Sequence, residues 1–197
     1  MSSNIGSVTS RIINKLNNDG NRDKASLAAL RYASSIDDHK MSTVWPLLFD
    51  ELDADQLSSN GKPTYSEIAV FAALRGYAIY QQGIDNFVFS TGDDSLEIFQ
   101  ALGQLRKDEK LRVALDRRVQ ATLSKMQVNS VINDVIHLIS ILKSNRKAAG
   151  LPPINFARFA RDIVYYQTSP AASRQVCLKW GEQYFSMKVE TKEETNK

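Results

Sequence analysis

Two histidines, His39 and His137, and one cysteine, Cys177, are the chain's whole supply of imidazole and thiol. They are scattered, and no set of His, Cys, Asp or Glu has the spacing of a metal site. Cys177 stands between Val176 and Leu178 with no histidine nearby in sequence, which describes a packing residue rather than a nucleophile. His137 falls on the side of its helix away from Val135 and Leu138, a surface position from which it could also meet a phosphate. Asp93 and Asp94 follow a glycine and precede Ser95, the pattern of a helix entry favoured by the macrodipole. Asp162 has Arg158 four residues before it, so an i, i+4 ion pair is expected there. Neither GxGxxG nor GxxxxGK[ST] occurs. With no nucleophile, base and orienting group in view, the expectation is a protein that is not an enzyme and uses neither metal nor cofactor.

The cations form a stronger pattern. Arg106, Lys107, Lys110, Arg112, Arg117 and Arg118 fall within 13 residues, and Lys143, Arg146 and Lys147 cluster further on. Leu111, Leu115, Val119, Leu123 and Met126 make one apolar stripe at about 3.6 residues per turn. With Leu115 at zero, Arg117 lies about 160° away and Arg118 about 60° away, at about 100° per residue. Arg117 should therefore point to solvent and Arg118 border the core, its stem covering apolar surface.

The elements that position these side chains read as helices almost throughout. Segments 7–17, 23–34, 42–52, 64–83, 95–105, 111–125, 128–150, 155–167 and 170–187 carry helical periodicity or caps, some of them in short pieces. Thr64 and Glu67 have the spacing of a capping box, Gly83 and Gly150 supply stops, and Pro170 suits a first-turn position. The polar segment 53–63 and the consecutive prolines 152–153 break the pattern. The expected fold is all-α with about eight helices: a smaller N-terminal helical lobe (1–92), a basic C-terminal bundle of four helices (93–188) and a mobile polar tail (189–197). The long helix bearing Lys143, Arg146 and Lys147 should run antiparallel to the Arg117 helix, joining the two cation clusters into one patch. Tyr165, Tyr166, Trp180 and Tyr184 repeat at helical spacing, which suits core packing, with base stacking as the alternative.

Charge also divides the chain in two. Residues 1–100 hold 8 basic and 13 acidic side chains, whereas 101–188 hold 15 basic and 6 acidic ones. A basic half on a chain of net charge +3 suggests a polyanionic partner for that half. No apolar run approaches the roughly 18 residues needed to span a bilayer. The first residues lack a signal-peptide pattern and a single cysteine suits a reducing compartment, so a cytoplasmic protein with no membrane partner is expected.

Several segments resemble the CasB family, the small subunit of the type I-E CRISPR Cascade surveillance complex. SLAALRYA and EIAVFAALRGYAIYQQG are similar to its N-terminal leucine-arginine segment and alanine-rich helix. LEIFQALGQLRKDEKLRVALDRRVQATL resembles the stretch in which a short glycine-containing helix precedes a double arginine. VINDVIHLISILK followed by PPINFARFARDIVYYQTSPAASRQVCLKWGEQYF is similar to the closing pattern that ends in Trp-Gly-x-x-Tyr-aromatic. The likeness covers most of Ser26 to Phe185, with departures at His137, where many members have a basic residue, and at Tyr32, where a second arginine is common.

The resemblance implies a non-catalytic subunit that lies in two copies along a guide-RNA ribonucleoprotein. Its partners would be the backbone filament, the large subunit, the guide RNA complex and both target and non-target DNA strands. It would brace the filament and hold DNA when an R-loop opens. The phosphate contacts it implies fall on Arg117 and Arg118 first, then on Arg31, Arg106, Lys107, Lys143, Arg146, Lys147 and Arg174. The alternative is an all-helical protein-interaction scaffold with no direct nucleic-acid contact.

Overall fold

The computed structural model describes residues 2–186, with side chains described from residue 5 onward. The polar tail expected at 189–197 lies outside the described residues. Nine α-helices are present among them: α1 (Ser2–Asn17), α2 (Lys24–Tyr32), α3 (Trp45–Glu51), α4 (Tyr65–Gln81), α5 (Ile98–Leu105), α6 (Glu109–Leu123), α7 (Val128–Asn145), α8 (Phe156–Tyr166) and α9 (Pro170–Phe185). The fold is all-α, with one helix more than the eight or so expected.

Local chemistry sets most helix ends. Asn18, Asp19 and Gly20 have φ of 42°, 49° and 95°, a left-handed run that stops α1. The Thr64 side chain accepts from the Glu67 N–H while the Glu67 carboxylate accepts from the Thr64 N–H, completing the capping box of α4. Asp23, Asp108, Asn155 and Ser169 cap α2, α6, α8 and α9 with their side chains. Segment 84–97 between α4 and α5 is extended in part and pairs with the turn before α8. Ile154 N–H donates to Val88 at 2.9 Å and Asn155 N–H to Leu96 at 2.8 Å.

Helix α4 is the centre of the packing. It is buried on nearly every side and contacts α1, α2, α7 and α8. Gly76 lets α7 and α8 approach it, since a Cβ there would stand 2.9 Å from Ile139 Cδ1 and 3.4 Å from Phe156. Buried apolar side chains from Ile5 to Tyr184 form one continuous cluster, with α1 laid across α8 and α9 against α5 and α8. Trp180 stacks on Phe99 at 4.7 Å between ring centroids and also faces Tyr166. Trp180, Tyr166 and Tyr184 are thus core residues, each burial stabilising by roughly 1.5–3 kcal/mol. Of the four aromatic side chains, Tyr165 alone reaches solvent, with 44% of its surface exposed.

Two local expectations change. Helix α6 ends at Leu123, so Met126 leaves the apolar stripe and is 54% exposed. Asp162 pairs with Lys179 on α9 at 2.9 Å instead of Arg158, and accepts from Trp180 Nε1 at 2.7 Å. Arg158 faces outward, and the partly buried α8–α9 seam supplies the closer cation.

Candidate nucleic-acid interface

Helices α4 and α7 run in the same direction: Arg75 meets Asn133, Gly76 meets Ile139 and Gln82 meets Lys143. Helix α2 packs on α4 and brings Arg31 to the same seam. Lys143 Nζ donates to Gln82 Oε1 at 3.2 Å. Burial, and then the neighbouring Arg31 charge, hold the Lys143 pKa below the usual lysine value. No carboxylate among the described residues bonds to either side chain, and Arg31 Nε is buried without a hydrogen-bond partner.

Arg146 extends this group one turn on. Its Nε is also buried without a well-formed hydrogen bond, and its guanidinium stands beside the buried Tyr80 hydroxyl, acting on it by charge and by a weak hydrogen bond. Burial is the main reason that the Tyr80 pKa is pushed up to about 12. Two turns back along α4, Arg75 has a half-buried guanidinium whose Nε lacks a partner, and burial lowers its pKa. Arg75 escaped the sequence reading because it sits inside an alanine-rich apolar helix, where a lone arginine reads as a snorkelling charge.

On the other side of α7 lies α6, antiparallel to it as expected. Lys125 near the end of α6 bonds Asp134 near the start of α7 at 2.6 Å, and Lys107 and Leu111 share a groove with Asn145 and Ala149. Arg118 and His137 line a shallow groove between these helices together with Leu138 and Ile141. Arg117 and Arg118 are both exposed, and neither side chain has an ion pair or hydrogen bond among the described residues. Arg118 was expected to border the core; its flank meets the groove but the residue as a whole is exposed. Lys107, Lys147 and Arg174 are exposed too, Arg174 on the outer face of α9.

Arg106 differs from the rest. Its Nε donates to Asp116 Oδ1 at 2.9 Å, and its guanidinium lies over the Tyr184 and Phe185 rings at 5.3 and 5.1 Å. Tyr184 donates to the same Asp116 oxygen at 2.7 Å. Although burial pushes the Asp116 carboxyl up, its bonds to Arg106 and Tyr184 outweigh that and hold it below the usual value. The structure therefore commits Arg106 to an internal ion pair, whereas Arg31 acts on Lys143, Arg146 lies one turn further on at the end of α7, and the side chains of Arg117 and Arg118 stand free on α6.

Chemically, such surfaces can hold an anion without reading its sequence. No group of three or more His, Cys, Asp or Glu able to hold a metal exists among the described residues. No helix among them is long and apolar enough to cross a membrane.

A family model of the CRISPR-associated protein Cse2 matches residues 26–185, most of the chain. The chain belongs to the Cse2 family. No curated protein matches it. Among solved structures, the crystal structure of CasB from Thermobifida fusca matches 93% of this chain and 96% of its own, at 19% identity and a TM-score of 0.65. That likeness establishes the shared fold. Cse2 membership supports a place for this chain as a Cascade small subunit in CRISPR defence, working alongside other subunits of the complex.

Proposed function

We propose that this Cse2-family chain is a non-catalytic small subunit of type I-E Cascade that braces the guide-RNA ribonucleoprotein and holds target and displaced DNA strands. The holding acts through phosphate contacts that do not depend on sequence. The observation that carries this reading is the approach of Arg31 and Lys143, cations from opposite halves of the chain near enough for one charge to act on the other, with no carboxylate bonded to either. Like charges placed together cost free energy in the isolated subunit, and an anion laid across them recovers it. Arg117 and Arg118 on α6, the latter beside His137 of α7, add further cations, which suits a strand longer than one phosphate.

The energetic need is modest. Exchanging a DNA duplex for an RNA–DNA heteroduplex is close to balanced, so a few phosphate contacts can tip an R-loop toward the open state. Guanidinium and ammonium groups without base-reading partners supply such contacts for any sequence.

Binding of fluorescent single-stranded and duplex DNA to the purified chain at several salt concentrations tests this. Salt-dependent binding that weakens in a folded Arg117→Ala/Arg118→Ala variant is the expected result. Salt-insensitive assembly with other subunits and no DNA binding, alone or in the complex, would instead support the scaffold reading.

A further inference from the structure

A second basic recess lies where α1 crosses α8. It is a cleft of about 490 Å³ lined by Ser7, Ser10 and Arg11 from α1, Thr91 from the loop before α5, and Arg158 and Arg161 from α8. No carboxylate lines it. Arg11 is engaged at its Nε by Glu51, which leaves Arg158 and Arg161 as the cations without an ion pair among the described residues. Glu97 is near enough to feel the Arg158 charge, but its bonds go to Lys179 and Gln183.

Arg161 is held in an unusual way. Its guanidinium lies against the α1 backbone at Gly6, so closely that a Cβ at Gly6 would stand 2.2 Å from Nε and 2.7 Å from Cζ. Its Nε is buried and has no hydrogen-bond partner. A desolvated, unpaired guanidinium donor is costly, and a water or a bound ion is one of the partners that can offset that cost. Glycine at position 6 is what admits the guanidinium to this place.

The donor set selects the ligand chemistry. Arg158 and Arg161 are three residues apart and so share one face of α8, while hydroxyls of Ser7 and Thr91 stand across the cleft. A planar carboxylate is satisfied by one guanidinium through two parallel bonds. Two guanidinium groups with hydroxyl donors facing them suit an anion that presents oxygens in more than one plane. We propose that the α1–α8 cleft is a phosphate-binding site, with Arg158 and Arg161 as its cationic donors. The phosphate can be a free ion or one group of a polynucleotide backbone, and the open cleft admits either.

Amide shifts of the isotope-labelled full chain, titrated in parallel at constant ionic strength with inorganic phosphate and with a short oligothymidine, test the site directly. The amides of Gly6, Ser7, Thr91 and Arg158 are expected to move with at least one probe. Movement with phosphate shows that the free ion suffices, and movement with the oligonucleotide alone assigns the site to a polynucleotide. Arg161→Gln should weaken that response at least tenfold, and Arg158→Gln, an exposed substitution, should do so without disturbing the fold. Gly6→Ala should act like Arg161→Gln by displacing the guanidinium. Amides around Arg117 and Arg118 report separately on the α6 surface, so failure of one site is distinguishable from failure of the other. Unmoved Gly6 and Ser7 amides with both probes, or a response unchanged in the Arg158→Gln and Arg161→Gln chains, would overturn the proposal.

Discussion

Lys143 on α7 and Arg31 on α2, two helices that both pack on α4, stand close enough that the arginine charge adds to burial in lowering the lysine pKa. The folded chain therefore binds the Lys143 proton less tightly than the unfolded chain does. Stability should rise with pH in the interval between the folded Lys143 pKa and the ordinary value of 10.5. Arg31→Ala should flatten that rise, as read from urea midpoints between neutral and alkaline pH. An identical slope in the variant would show that Arg31 does not act on Lys143.

Arg106, Asp116 and Tyr184 form a unit with the opposite pH sense. Asp116 has a depressed pKa, so its contribution is present above the ordinary aspartate value of 3.8 and is lost as pH falls through the folded value. Asp116→Ala should cost about 1–3 kcal/mol at neutral pH, because a half-buried guanidinium and the buried Tyr184 hydroxyl lose their acceptor. The acid-side fall in stability should be shallower in that variant. Arg106→Ala is expected to lower the unfolding midpoint more than it lowers DNA affinity.

Asp162 has a raised pKa, chiefly through burial, so its contribution is largest in acid and declines as pH rises through the folded value. Asp162→Ala should destabilise by about 2–3 kcal/mol, because Trp180 Nε1 is left without an acceptor and Lys179 keeps only Glu97. Asp162→Asn retains an acceptor oxygen and should lose about half as much. Chemical denaturation with tryptophan fluorescence measures both.

Tyr80→Phe removes a buried hydroxyl. The substitution should change stability by less than about 1 kcal/mol, since the hydroxyl makes no well-formed hydrogen bond and has only a weak one with Arg146 to lose. A loss above about 2 kcal/mol in thermal unfolding would mean that the hydroxyl bonds Arg146 firmly.

Short-range signals in the sequence were enough for much of the fold. The Thr64–Glu67 box, Pro170 in a first turn, the breaks at 53–63 and 152–153 and the antiparallel α6–α7 pair depend on residues close in the chain, and each is present. Partner choice across helices was not legible. Asp162 has a cation at i−4 and a better one on the next helix, and only the packing of α8 on α9 decides between them. Arg106 looked like the start of a basic patch because its partner, Asp116, lies past a helix break that folds α6 back toward it. The Arg31–Lys143 pair depends on two helices docking on α4, a tertiary fact with no periodicity to announce it. The α1–α8 cleft was missed for the same reason: Gly6 and Arg161 carry no joint signal until the helices cross.

The salt dependence of single-stranded DNA binding by the wild-type chain and by an Arg31→Ala/Lys143→Ala variant, with folding verified by circular dichroism, tests the central claim most directly. If both residues contact phosphate, the variant binds more weakly, and its slope of log affinity against log salt is shallower by about 1.4, roughly 0.7 for each contact removed. An unchanged affinity and slope in the folded variant would contradict the assignment of this seam as a DNA-holding surface.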